Sequence, residues 1–155
     1  MTVSAFLSRR TLAILSAVVC AGAALALTFS PLPSHAQSAA STSAPFEDKA
    51  VYHVDDPEAA PLALGNIANH LTASPQAKIS LVANGKGITM LVAGDYSTTI
   101  ANLQAKGVRF VACNNSMRGF KISASQLVPG AVIVPAGVAE LSRLQVAEHY
   151  AYIKP

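Results

Sequence analysis

Three short segments govern what this chain can fold into. Lys78 to Ala83 (KISLVA), Val108 to Cys113 (VRFVAC) and Ala131 to Val134 (AVIV) are apolar at nearly every position. As strands they would be buried on both faces, which is the pattern of a covered parallel sheet. Turn formers bound them: Asn84-Gly85-Lys86-Gly87, Gly107, Asn114-Asn115, Pro129-Gly130 and Pro135. Helical patterns lie between. Asp56 reads as an N-cap, with Pro57 at the first helical position and Glu58 in the first turn. Ala60, Leu64, Ile67 and Leu71 then share one stripe, with Asn66, Asn69 and His70 off it. Asp95 to Lys106 aligns Tyr96, Ile100 and Leu103 and stops at Gly107. Ser123 to Leu127 reads as a short helical turn and Gly137 to Glu148 as a third long helix. Ala50 to Val54 (AVYHV) and Tyr150 to Ile153 read as the first and last strands, while Ile88 to Val92 is too short to classify. The pattern predicts a small doubly wound α/β domain, with a mostly parallel sheet and helices on both faces.

In that architecture ligands bind at the carboxyl ends of the strands. Those ends carry His53-Val54-Asp55-Asp56, Asn84-Gly85-Lys86-Gly87, Cys113-Asn114-Asn115 and Pro135-Ala136-Gly137. A cysteine at a strand end, with a helical turn after it, has backbone N–H groups and a positive dipole end nearby, which lower its pKa. Lys86 and Arg118 are candidate cations for the same effect, or solvated surface charges. His53 is a candidate proton donor or ligand-orienting group, or a strand-end histidine bonded to the backbone. Other chemistries find little support. His53, His70, His149 and Cys113 lack metal-ligand spacing, so no metal is expected, nor any cofactor. Asn84 to Gly87 lacks the length and the Lys-Ser/Thr ending of a phosphate loop, and there is no G-x-S-x-G elbow. Asp55 and Asp56 read as helix-capping residues.

The N-terminus has a different character. Arg9-Arg10 precede an uncharged run from Thr11 to Ser30, and Pro31-Leu32-Pro33-Ser34-His35-Ala36 follows. A basic start, an apolar middle and a small-x-small ending predict a secretory signal peptide over residues 1–36, cleaved after Ala36. The route is twin-arginine or general secretory, and the destination periplasmic. The alternative is an uncleaved anchor, since Leu12 to Phe29 is at the lower edge of what spans a bilayer. Its alanine content and the prolines after it favour cleavage, and hence no stable membrane insertion of the mature chain. Residues 37–45 (QSAASTSAP) read as a flexible linker, and 46–155 as the domain. Of two cysteines, Cys20 leaves with the signal, so Cys113 cannot form a disulfide within the mature chain. It is therefore inert and buried, reactive, or paired with another chain.

Composition narrows the partners. With 52% hydrophobic residues and only 12% charged, the chain is unlike a disordered protein. A formal charge of +3, smaller still without Arg9 and Arg10, gives no basic face for nucleic acid. So little charge covers a surface poorly and predicts a homo-oligomer, with Tyr150-Ala151-Tyr152-Ile153 as a candidate contact. Those tyrosines read equally as edge-strand packing.

From Val51-Tyr52-His53-Val54-Asp55 to the C-terminus the chain resembles the DsrE/DsrF-like family of sulfur-relay proteins. The resemblance is carried by that opening strand, by Asn66 to Leu71 and by Val82-Ala83-Asn84-Gly85-Lys86-Gly87. Gly107-Val108-Arg109-Phe110-Val111-Ala112-Cys113-Asn114, Val134-Pro135-Ala136-Gly137-Val138-Ala139-Glu140-Leu141 and Tyr152-Ile153-Lys154-Pro155 continue it. It implies a flavodoxin-like fold, assembly as trimers or hexamers, and a cysteine that holds sulfur as a persulfide for a partner. Cys113 matches that position. The resemblance thus implies a sulfur carrier or sulfurtransferase-like protein, with a sulfur donor or acceptor protein as partner. His53, Asn84, Gly85, Lys86 and Asn114 are the candidate substrate-binding residues around it. The export signal sets this chain apart from the cytoplasmic relay proteins. The alternative is a non-catalytic oligomeric module with the same fold and an unreactive Cys113.

Overall fold

The computed structural model describes residues 46–155, so the expected signal peptide and linker lie outside the described residues. Five strands form one sheet: β1 (Lys49–Val54), β2 (Lys78–Ala83), β3 (Arg109–Cys113), β4 (Val132–Val134) and β5 (Ala151–Ile153). All pairings are parallel and the order is β4-β3-β2-β1-β5. The helices are α1 (Ala60–Ala73), α2 (Ser97–Gln104), α3 (Asn114–Gly119) and α4 (Gly137–Glu148). The expected doubly wound α/β architecture is the one observed.

The two-sided apolar strands explain the layering. Tyr52, Leu81 and Phe110 face one way and pack with Ile67 of α1 and with Ile100 and Leu103 of α2. Val51, Val82, Val111 and Val134 face the other way and pack with Leu141 and Leu144 of α4. Each such side chain, fully buried, contributes roughly 1.5–3 kcal/mol. The register aligns the strand ends: His53 lies beside Val82, Val54 beside Ala83, and Cys113 beside Val134. His53, Asn84 and Cys113 therefore stand on one rim.

Three local expectations gain detail. Asp56 does cap, its carboxylate accepting from the Glu58 N–H at 2.9 Å, but it caps a 3-10 turn (Pro57–Ala59) that leads into α1. β3 ends at Cys113, as expected, and Asn114-Asn115 open α3 directly after it. Asn84 to Gly87 does stop β2, which ends at Ala83. A 3-10 helix spans Gly85–Leu91, takes in most of the unclassified apolar stretch and buries Gly87, Ile88, Met90 and Leu91.

One buried charge is fully partnered. The Glu140 carboxylate accepts from Arg109 Nη1 at 2.6 Å and from Arg143 Nε and Nη2 at 2.8 Å each. The Arg143 fork, and then Arg109, outweigh the effect of burial and hold this carboxyl at about 2. A depressed folded-state pKa contributes stability that is complete above the ordinary carboxylate range and is lost as pH falls through it towards 2. Both guanidiniums are partly exposed, so the contribution is on the order of 2 kcal/mol. Urea midpoints should therefore fall between pH about 5 and 3. In Glu140→Gln they should start lower and depend less on pH; an unchanged acid slope would remove Glu140 as the cause.

Candidate functional site

Cys113 ends β3 with extended backbone (φ −76°, ψ 112°) and serves as the N-cap residue of α3. Its residue exposure is 5%, and it is the free cysteine among the described residues. Burial acts to raise the thiol pKa. The Ser116 hydroxyl and the backbone N–H groups of Gly137, Ser116 and Asn115 outweigh it, and the thiol lies below the ordinary cysteine value. Those donors come from two helix starts, α3 and α4, which stabilise a thiolate where side-chain cations are absent. Gly137 matters sterically as well. A β-carbon there would sit 3.1 Å from Cys113 Cβ and 3.2 Å from Asn84 Cβ, so any larger residue would press both side chains aside by a few tenths of an ångström.

The remaining rim residues form a connected set. Ser116 Oγ accepts from the Gly85 N–H at 2.8 Å, and Gly85 adopts φ +51° to present it. Asn84 is half-buried, and its Oδ1 lies 2.9 Å from His53 Nε2. His53 Nδ1 lies 2.7 Å from the Tyr152 hydroxyl. Lys154, two residues on, forms an ion pair with Asp55. His53 is thus held by side chains rather than by the backbone.

The sequence-derived candidates separate accordingly. His53, Asn84 and Gly85 connect to the environment of Cys113, and Asn114 follows it as the first, half-buried residue of α3. Lys86 is exposed, and Arg118 is exposed and hydrogen-bonded to Asn115. The groups that act most on the thiol are neutral. Ser116 and Tyr152 are additions to the site. Ser116 was legible as the third residue after an N-capping cysteine, the place where a cap side chain meets the first turn. Tyr152, first read as an oligomer contact or edge packing, turns to His53 and stays 43% exposed.

This strand-end arrangement meets known proteins at the family level. A family model for DsrE/DsrF-like proteins matches residues 48–155. The chain belongs to the DsrE/DsrF-like family. Among solved structures it is similar to the protein of unknown function MTH1491 from Methanobacterium thermoautotrophicum. That likeness has 31% identity and a TM-score of 0.65, covering 70% of this chain and 100% of that one. The ychN protein from E. coli shares the fold at 15% identity and TM-score 0.60, covering 71% of this chain and 100% of that one. BT1422 from Bacteroides thetaiotaomicron, a conserved protein of unknown function, does so at 17% identity and TM-score 0.55, covering 70% and 95%. The comparison with curated proteins returned no match. As a DsrE/DsrF-like protein, the chain is connected with sulfur relay at the level of the family.

Proposed function

We propose that this DsrE/DsrF-like protein is an exported, periplasmic sulfur carrier that holds sulfane sulfur on Cys113. The observation that carries the reading is the seat of Cys113 at the strand-end rim, capping α3 and lying against the start of α4, where the Ser116 hydroxyl and nearby backbone amides favour a thiolate. The Cys113 thiolate attacks the outer sulfur of a persulfide or polysulfide donor. A new S–S bond forms to Cys113, the donor's S–S bond breaks, and its electron pair leaves on the donor thiolate. The reverse step on an acceptor thiolate discharges the carrier. No net oxidant is consumed.

Assembly as a homo-oligomer, a trimer or hexamer, belongs to the same reading. Its support is apolar surface on the edge strand β4 (Val132 and Ile133) and on α4, where Val138 is 64% and Val146 75% exposed. Light scattering after size exclusion, returning one chain's mass at all micromolar concentrations, would refute it.

One observation favours the second reading, an unreactive Cys113 in a non-catalytic oligomeric module: the residue is only 5% exposed. Intact-mass measurement after exposure to polysulfide decides between them. The carrier gains about 32 Da per added sulfur, a reversible persulfide, and Cys113→Ser gains nothing. A wild-type protein that stays at its starting mass is the module.

A further inference from the structure

The sheet order reverses direction between β1 and β5, because β1 to β4 run outward on one side and β5 returns to the other. In open α/β sheets the crevice beyond the strand ends at such a reversal is where ligands sit. His53 of β1 and Tyr152 of β5 stand there. The register puts Tyr152 beside Val51, on the face that His53 shares, with the two rings 5.7 Å apart and tilted by 57°. The Lys154–Asp55 ion pair holds the end of β5 against the same corner.

Both nitrogens of His53 are occupied, and their partners select the tautomer. An amide oxygen only accepts, so Nε2 carries the hydrogen and donates to Asn84 Oδ1 at 2.9 Å. Nδ1 of the uncharged ring is then an acceptor, and the Tyr152 phenol, a good donor, supplies its hydrogen at 2.7 Å. The opposite arrangement would need the phenol to accept and the amide to be turned over. The consequence falls on Asn84. With Oδ1 taken by His53, the Nδ2 end of the planar amide is directed away from His53. Asn84 and Cys113 place their β-carbons 3.2 and 3.1 Å from the same point above Gly137, so the two side chains leave neighbouring strand ends side by side. Among the described residues, no side chain or carbonyl takes the Nδ2 hydrogens.

We propose that Tyr152 is a positioning residue that, through His53, fixes the Asn84 amide with its Nδ2 hydrogens towards the rim, as donors to an anionic sulfur or oxygen terminus brought to Cys113. The ligand class, a small sulfur-containing anion such as thiosulfate or polysulfide, rests on the sulfur-carrier reading; the positioning itself does not.

Two measurements test it apart from sulfur transfer. In protein with 15N-labelled histidine rings, long-range 1H–15N spectra should give His53 as the Nε2–H tautomer, and Tyr152→Phe should give a mixture. A His53 that is Nδ1–H in the wild type overturns the proposal. In Cys113→Ser, which cannot accept sulfur, titration with thiosulfate should move the Asn84 side-chain amide resonance saturably. Adding Tyr152→Phe should weaken that binding about fivefold, the scale of one hydrogen bond. Absence of a saturable shift, or equal affinity with and without Tyr152→Phe, also overturns it. Failure of the carrier reading appears elsewhere, as an unchanged mass of the wild type with polysulfide.

Discussion

Gly87→Ala is expected to destabilise the protein by about 3 kcal/mol, the upper part of what overpacking costs. A β-carbon at this position would lie 2.3 Å from the Val54 carbonyl oxygen and 2.7 Å from its carbon. Both are backbone atoms of the interior strand β1, so no side-chain rotation relieves the clash. The 3-10 helix must move off the sheet, which strains the 2.9 Å hydrogen bond from the Gly87 N–H to the Asp55 carbonyl. It also draws Ile88, Met90 and Leu91 out of the core. Gly65 is the contrasting case. It lies exposed in α1 with nothing within 4 Å of an added β-carbon. Gly65→Ala should stabilise by about 0.5–1 kcal/mol, because alanine loses less backbone entropy in a helix. Urea unfolding of both variants is the measurement. Equal and small effects would mean that the close approach of the 3-10 helix to β1 is not a constraint on folding.

The same region marks where the sequence stops being legible. KISLVA and VRFVAC declare themselves as strands because a parallel sheet covered on both sides needs apolar residues at both parities. The segment after β2 has no such signature. Its buried positions, Gly87, Ile88, Met90 and Leu91, follow a tight 3-10 path that neither the helical nor the strand period describes. The rim was readable in outline, since strand ends collect ligand-binding residues whatever the sequence between them. Its wiring was not. Tyr152 and His53 are 99 residues apart and meet only because β5 pairs with β1 rather than with β4, an order that local patterning does not encode. Lys86 and Arg118 drew attention as charges near a cysteine. The stronger influence comes from amides and a serine hydroxyl, which carry no formal charge and leave no mark in a composition.

Ser116→Ala should slow alkylation of Cys113 at neutral pH several-fold and leave it unchanged or slightly faster at alkaline pH. Ser116 is the leading stabiliser of the thiolate, and its oxygen also accepts from the Gly85 N–H at 2.8 Å. Removing the hydroxyl takes one donor from the charged form of the sulfur and leaves the Gly85 amide without its acceptor. The thiol pKa therefore rises. Hydrogen bonds to charged groups are worth roughly 1.5–3 kcal/mol, which sets a ceiling of about tenfold to a hundredfold on the loss of thiolate. A thiolate of higher pKa is intrinsically more nucleophilic, with a Brønsted slope of about 0.4–0.5, so roughly half of that loss is returned in the rate. Below the pKa the population effect wins and the rate falls; above it every thiol is ionised and only nucleophilicity remains. The two rate–pH curves should therefore converge or cross. Parallel curves, with Ser116→Ala slower by one factor at every pH, would instead mean that Ser116 controls access to the sulfur and not its charge.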